Sequence, residues 1–230
     1  VMARTSGEPG DGDGITAFLT PMNAEGVKIE EFLWTFNMPT DHGTVSFSDV
    51  YVDNASIFGE EGHGLQIVQH FFNENRIRQA ASSLGAAQYC INESVKYAQE
   101  RKPFGKPLST NQGIQFPLVE LNTTAAMLRA LIHKTAWQMD KYGAFSVSDQ
   151  VSMCNYIGNR LCCDAADRAM QTHGGLGYSR HKPFEHIYRH HRRYRITEGA
   201  EEIQMRRIAG YMFGYMKQQA PKGVKSVTGI

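Results

Sequence analysis

The stretch RRYRITEGAEEIQMRR, residues 192–207, sets two basic clusters around Glu198, which glycine follows at once, with Glu201 and Glu202 close behind. Residue type alone leaves two uses of Glu198 open. A glutamate near a helix start is favoured by the helix dipole and needs no other role. The same helix start offers unpaired backbone N–H groups that can hold a carbonyl oxygen or an enolate, and a carboxylate sheltered there can take a proton.

Three further stretches carry usable chemistry. QERKPFGKPL (99–108) places Arg101, Lys102 and Lys106 around a Pro-Phe-Gly turn. Basic residues suit a helix C-terminus in any case; as a ligand site they would clamp phosphate, with Phe104 as a floor for a heterocycle. MQTHGGLGYSR (170–180) is a glycine-rich turn whose N–H groups can approach a ligand. It follows a helix instead of joining strand to helix, so it is not the dinucleotide fingerprint, and it serves equally as a helix cap. In RHKPFEHIYRHHRRYR (180–195), His186 and His190 lie one helical turn apart. With no HExxH pattern and no third ligand, no metal site is expected. The basic run is short and outside any nucleic-acid motif, so no nucleic-acid partner is expected.

These residues need elements to position them. The chain has 230 residues, 41% hydrophobic and 20% charged, enough for one large domain or two small ones. A net charge of +1 argues against a general polyanion binder. No apolar run is long enough to span a bilayer. Cys90, Cys154, Cys162 and Cys163 lack zinc-site spacing and read as buried free thiols of an intracellular protein.

Residues 1–58 read as β structure, with strands expected in 15–21, 26–32 and 43–52 and a flexible connection over 6–14. In the last strand Val45, Phe47, Val50 and Val52 are expected to point inward, with a bulge near Asp49. Val1 opens partway into a strand, so upstream residues are expected. Three strands with open edges are not stable alone, and this region reads as the second half of a β domain.

From about 62 the apolar period changes to three and four, from Leu65 to Ala98. Two prolines end that helix. A second helix, capped by Ser109 or Thr110, should run to about Tyr142, and a third from about Ser148 to Thr172. A short basic helix follows Pro183, and a last helix is expected from about Glu198 to Lys217. Residues 59–217 thus form a helical bundle and 218–230 a loose tail. The expected fold class is mainly α with a small β part: a partial β domain followed by an antiparallel four-helix bundle.

Taken together, FGEEGHGLQIV, YAQERKPFGKPLSTNQGIQFPLVEL, MQTHGGLGYSR and YRITEGAEEIQ resemble, in order, motifs of the acyl-CoA dehydrogenase family of flavoproteins. The resemblance runs from about Val1 to Met216 and covers the family's half β domain and C-terminal bundle. It implies FAD as cofactor and α,β-dehydrogenation of an acyl-CoA thioester to the trans-2-enoyl-CoA, as in fatty acid β-oxidation. Glu198 would remove the α-proton while the flavin accepts the β-hydride. Gly199 would leave room for substrate and offer its N–H to the thioester oxygen. Some members carry the base just before the arginine matching Arg76. Here that position is Asn75, which cannot abstract a proton, so the base is assigned to Glu198 and Arg76 to substrate contact or orientation; otherwise Arg76 is an ordinary exposed helix arginine.

By the same resemblance Arg101 and Phe104 reach FAD across a dimer interface. Asn111 and Gln112 form a following FAD pair, Gln171, Gly174 and Gly175 a neighbouring loop, and Ala200 and Glu202 further FAD contacts. Two positions depart from the family pattern: Ala200 stands for the common threonine, and His190 for an aspartate. The implied partners are an electron-transfer flavoprotein and copies of the chain, as homodimer or homotetramer. Mitochondrial, peroxisomal and bacterial cytoplasmic locations all fit. Two alternatives stay open: an oxygen-using relative (acyl-CoA oxidase, nitroalkane oxidase or flavin monooxygenase), and a non-catalytic helical assembly module.

Overall fold

A computed structural model describes residues 1–36 and 42–217, and the expected loose tail, 218–230, lies outside them. The chain divides into two compact units, Val1–Phe71 and Phe72 onward.

In the first unit, β1 (Met2–Arg4) pairs antiparallel with β2 (Ile15–Ala17), and β3 (Val27–Leu33) pairs antiparallel with β4 (His42–Phe47). The connection over 6–14 is tied down where a flexible one was expected. The Arg4 guanidinium donates to the carbonyls of Ser6, Asp11 and Asp13 at 3.0, 2.6 and 3.0 Å. Pairing of β3 and β4 is irregular between Ile29 and Glu31, so the irregularity lies in β3 and not near Asp49. The break in alternation at Asp49 marks the end of β4, since Asp49 takes a left-handed φ of 49°. Val50 and Val52 therefore lie beyond the strand, and Phe47 is 48% exposed instead of inward.

The second unit is helical. Helix α1 (Gly64–Glu100) begins in the first unit; α2 (Gln112–Tyr142), α3 (Ser148–His173), α4 (Gly175–Tyr178), α5 (Phe184–Arg192) and α6 (Glu201–Met212) follow. Short connections between the long helices make neighbours antiparallel. Ser109 and Thr110, expected as caps, lie in a 3-10 turn, and Asn111 occupies the cap position of α2. Helix α6 is shorter than expected at both ends.

Helix α3 forms the centre of this unit, with a face of small residues. Cys154, Cys162, Ala165, Ala166 and Ala169 are buried against Ala80, Leu84, Ala87 and Ile91 of α1, Ala125, Leu128 and Ile132 of α2, and Phe184 of α5. At Gly158 a side chain would start 3.2 Å from the Ala80 Cα, so α1 and α3 touch backbone to backbone there. The four cysteines are free and buried as expected. Burial pushes the Cys90 thiol up to about 12, which makes it unreactive.

Candidate active site

Glu198 lies outside helix α6, in the turn before it. Its φ of 53° and that of Gly199, 93°, are left-handed, and two such residues cannot continue into a right-handed helix. A left-handed glutamate is uncommon and requires neighbours that hold it. Those neighbours are specific. The Glu198 carbonyl accepts from Arg76 Nε at 3.0 Å, Arg76 Nη2 at 2.6 Å and Gln204 Nε2 at 3.0 Å. One carboxylate oxygen accepts from the Asn75 amide, the other from the Gln79 amide. Gln79 is held in turn by Asn155, whose Nδ2 donates to Gln79 Oε1 at 3.1 Å.

The spacing of the helix explains this grouping. Asn75 and Gln79 are four residues apart and share a face of α1, while Arg76 leans one position aside. Arg76 is 4% exposed, so the ordinary surface arginine is ruled out at this position. Burial, then Arg207, lowers its guanidinium to about 10, with Glu198 opposing, so it remains a cation at neutral pH. Glycine is required at 199: beyond the left-handed φ, a Cβ there would start 3.3 Å from Gln204 Nε2 and 3.5 Å from Arg76 Nη2, the two groups that hold the Glu198 carbonyl.

Two polar clusters fix the turn from outside. Glu201, at the first position of α6, accepts from Arg160 Nε at 3.0 Å and Nη2 at 3.1 Å, and from Arg195 Nε at 2.9 Å and Nη2 at 2.8 Å. These two guanidiniums hold its carboxyl down at about 2. Behind the turn, Asn159 Nδ2 donates to the Tyr194 carbonyl at 2.8 Å, and Ser83 Oγ bridges Asn159 Oδ1 (2.7 Å) and His191 Nδ1 (3.0 Å). Burial, then His190, Arg193 and His186, lowers the His191 imidazole to about 4.

The structure brings Glu198, Gly199 and Arg76 together and adds Asn75, Gln79, Gln204 and Asn155. Ala200 and Glu202 lie in the same turn and at the start of α6. The other assigned residues lie on exposed ends elsewhere in the bundle: Arg101 and Phe104 after α1, Asn111 and Gln112 at the start of α2, and Gln171, Gly174 and Gly175 at the end of α3. A cavity of about 410 Å³ opens against Glu198, Asn75 and Gln79. The larger groove, about 640 Å³ between α1 and α2, has no acid or arginine in its wall and is remote from this chemistry. His186 and His190 stack at 6.1 Å, and among the described residues no three His, Cys, Asp or Glu side chains group as metal ligands.

Sequence reasoning dismissed Asn75 for lacking a proton-abstracting group and never named Gln79. The available signal was the four-residue step between two amides beside a buried arginine. Gln204 lay inside the quoted EGAEEIQ motif and was overlooked because its partner, a main-chain carbonyl, leaves no trace in residue type.

Comparison with known proteins identifies the fold and the family. Residues 62–213 match the C-terminal domain of acyl-CoA dehydrogenases. An acyl-CoA dehydrogenase of Bacillus subtilis is 32% identical over 87% of this chain and 53% of its own length. A subunit of the caffeyl-CoA reductase–Etf complex of Acetobacterium woodii is 30% identical over 86% of this chain and 52% of its own. Butyryl-CoA dehydrogenase from Megasphaera elsdenii superposes with a TM-score of 0.80 at 27% identity, over 92% of this chain and 55% of that one. The chain spans about half the length of the relatives it matches. On the matched domain and the shared fold, the chain belongs to the acyl-CoA dehydrogenase family.

Proposed function

We propose that the protein dehydrogenates an acyl-CoA thioester between its α and β carbons with FAD, and that Glu198 is the base. The observation that carries this reading is the double fixation of Glu198. Its carboxylate lies between two amide donors, and its carbonyl is held by Arg76 and Gln204. A structural surface glutamate needs neither. A base that must meet a carbon acid in one orientation needs both.

The residues assigned to FAD fit such a group in chemistry. Arg101 is exposed and offers a guanidinium to phosphate, and Phe104 is 96% exposed and free to stack. At Gly174 and Gly175 nothing lies within 4 Å of where a side chain would start, so the backbone is open to a ligand. Asn111, Gln112, Gln171, Ala200 and Glu202 complete the proposed contacts. When bound, FAD supplies the acceptor for the β-hydride. The chain's own residues do the rest. Glu198 takes the α-proton on a carboxylate oxygen, Arg76 and Gln204 keep its turn from swinging, and the Gly199 N–H is offered to the thioester oxygen, where charge develops.

An electron-transfer flavoprotein is the proposed acceptor, supported by the relative named from an Etf complex. The proposed assembly is a homodimer or larger, because Arg101 and Phe104, among the residues assigned to FAD, lie after α1 and apart from the Glu198 turn. The test is the visible spectrum of the FAD-loaded protein on anaerobic addition of acyl-CoA. The flavin should bleach in the parent and stay oxidised but bound in Glu198→Gln; normal bleaching in that variant would move the base elsewhere.

A further inference from the structure

The cavity against Glu198, about 410 Å³, is lined by residues of polar type throughout: Arg78, Arg193, Glu198, two amide residues and three that carry hydroxyls. A site for a plain alkyl chain gains affinity by burying methylenes against apolar side chains, and no apolar residue lines this cavity. The fixed charges in the wall are two positive and one negative, a net of +1. The nearby His190 adds nothing to that sum, since burial, then Arg193 and His186, shifts it towards its neutral form.

The two arginines differ in what they have left to offer. Arg78 directs Nε and Nη2 at Asn75 Oδ1, which leaves that amide's NH2 aimed at Glu198. Arg193 has no such use: its Nε is buried without a hydrogen-bond partner. Its Nη2 makes only long contacts, 3.5 Å to His190 Nε2 and 3.4 Å to the Tyr194 hydroxyl, and its guanidinium lies 4.9 Å over the Tyr194 ring. A guanidinium with unused donors beside a net-positive polar cavity is matched by a carboxylate, whose two oxygens fit its fork.

Resting on the reading of Glu198 as the base of an acyl-CoA dehydrogenase, we propose that this cavity takes the anionic end of a carboxylate-bearing acyl group, the half-thioester of a dicarboxylic acid, and that Arg193 is the residue that selects it. The bound anion cancels the net charge of the wall. It also occupies the Arg193 donors that the fold leaves open.

The test uses glutaryl-CoA and pentanoyl-CoA, which share their carbon count and all CoA phosphates and differ in one terminal carboxylate. Affinity is measured by calorimetry on the FAD-loaded Glu198→Gln protein, so that binding is read without turnover. Glutaryl-CoA is expected to bind about tenfold or more tightly than pentanoyl-CoA, a magnitude typical of one desolvated charge pair. Arg193→Met should abolish that preference and leave pentanoyl-CoA within about twofold. Arg193→Lys, which keeps the charge but not the fork, should retain part of it. Equal affinities before any arginine is changed would overturn the proposal. So would an Arg193→Met loss shared by both thioesters, which would assign the arginine to the CoA phosphates. Should Glu198→Gln still reduce flavin, the base reading fails, and flavin bleaching by the same pair in the Arg193 variants decides the charge preference by itself.

Discussion

At the scale of the residue, the site depends on a conformation as much as on a functional group. Glu198 is held by its main chain as firmly as by its side chain, and Arg76 is the larger part of the main-chain hold. Lysine at 76 would keep a cation but can direct only one ammonium at the carbonyl, where the guanidinium now presents two N–H groups. Arg76→Lys is expected to slow flavin reduction by about tenfold to a hundredfold while flavin content stays at parent level, because its target is the turn and not the cofactor. Stopped-flow reduction with measured flavin stoichiometry checks this; an unchanged rate would show that Gln204 alone holds the turn. At this scale, the motif singled out Glu198 and Arg76, and the structure places the two in hydrogen-bond contact. Sequence did not show that the arginine is buried, because α1 is polar on several faces, with Asn73, Asn75, Arg76 and Gln79 all buried in it. A hydrophobic period cannot separate inside from outside where the inside is itself polar.

At the scale of the element, long helices were legible almost to the residue and ends were not. Helix α3 stops at His173, one residue past the expected end, because a glycine there permits the required backbone. Helix α6 begins at Glu201, three residues late, because left-handed geometry at 198 and 199 comes from tertiary hydrogen bonds that no local propensity encodes. The same limit applies to β4, where an apparent slip in alternation proved to be the strand's end. The connection from α5 into the Glu198 turn makes a prediction with a definite sign. His191 is buried with Ser83 and Asn159, and burial lowers it to about 4, below the ordinary histidine value of about 6.5. The folded state therefore favours the neutral ring. Its contribution is complete above the unfolded value and is lost as pH falls through the interval towards about 4, where loss levels off. Urea unfolding followed from about pH 7.5 to 4 should lose on the order of 3 kcal/mol from this group, and His191→Asn should flatten that segment of the curve. An identical pH slope in the variant would assign the loss to other groups.

At the scale of the whole molecule, fold class followed from two periods in one sequence, alternation before about 60 and three-to-four spacing after it. Family membership followed from four motifs in order, and the matched domain over residues 62–213 agrees. Among the assigned FAD residues, Arg101 and Phe104 are exposed in the loop that follows α1. Arg101→Ala is expected to lose most of its FAD on gel filtration while helical content is kept, and the parent protein should elute as a dimer or larger. Full flavin retention in the variant, or a clean monomer with flavin bound, would remove Arg101 from the cofactor site.

The left-handed backbone at Glu198 has one further consequence. Asparagine accepts that conformation more readily than glutamate does, and would still accept hydrogen bonds from neighbouring amides. Thermal robustness and turnover are therefore opposed at this one position. A screen that rewarded survival on heating, without asking for activity, would drift away from glutamate at 198 and return a sturdier protein without the carboxylate proposed as its base.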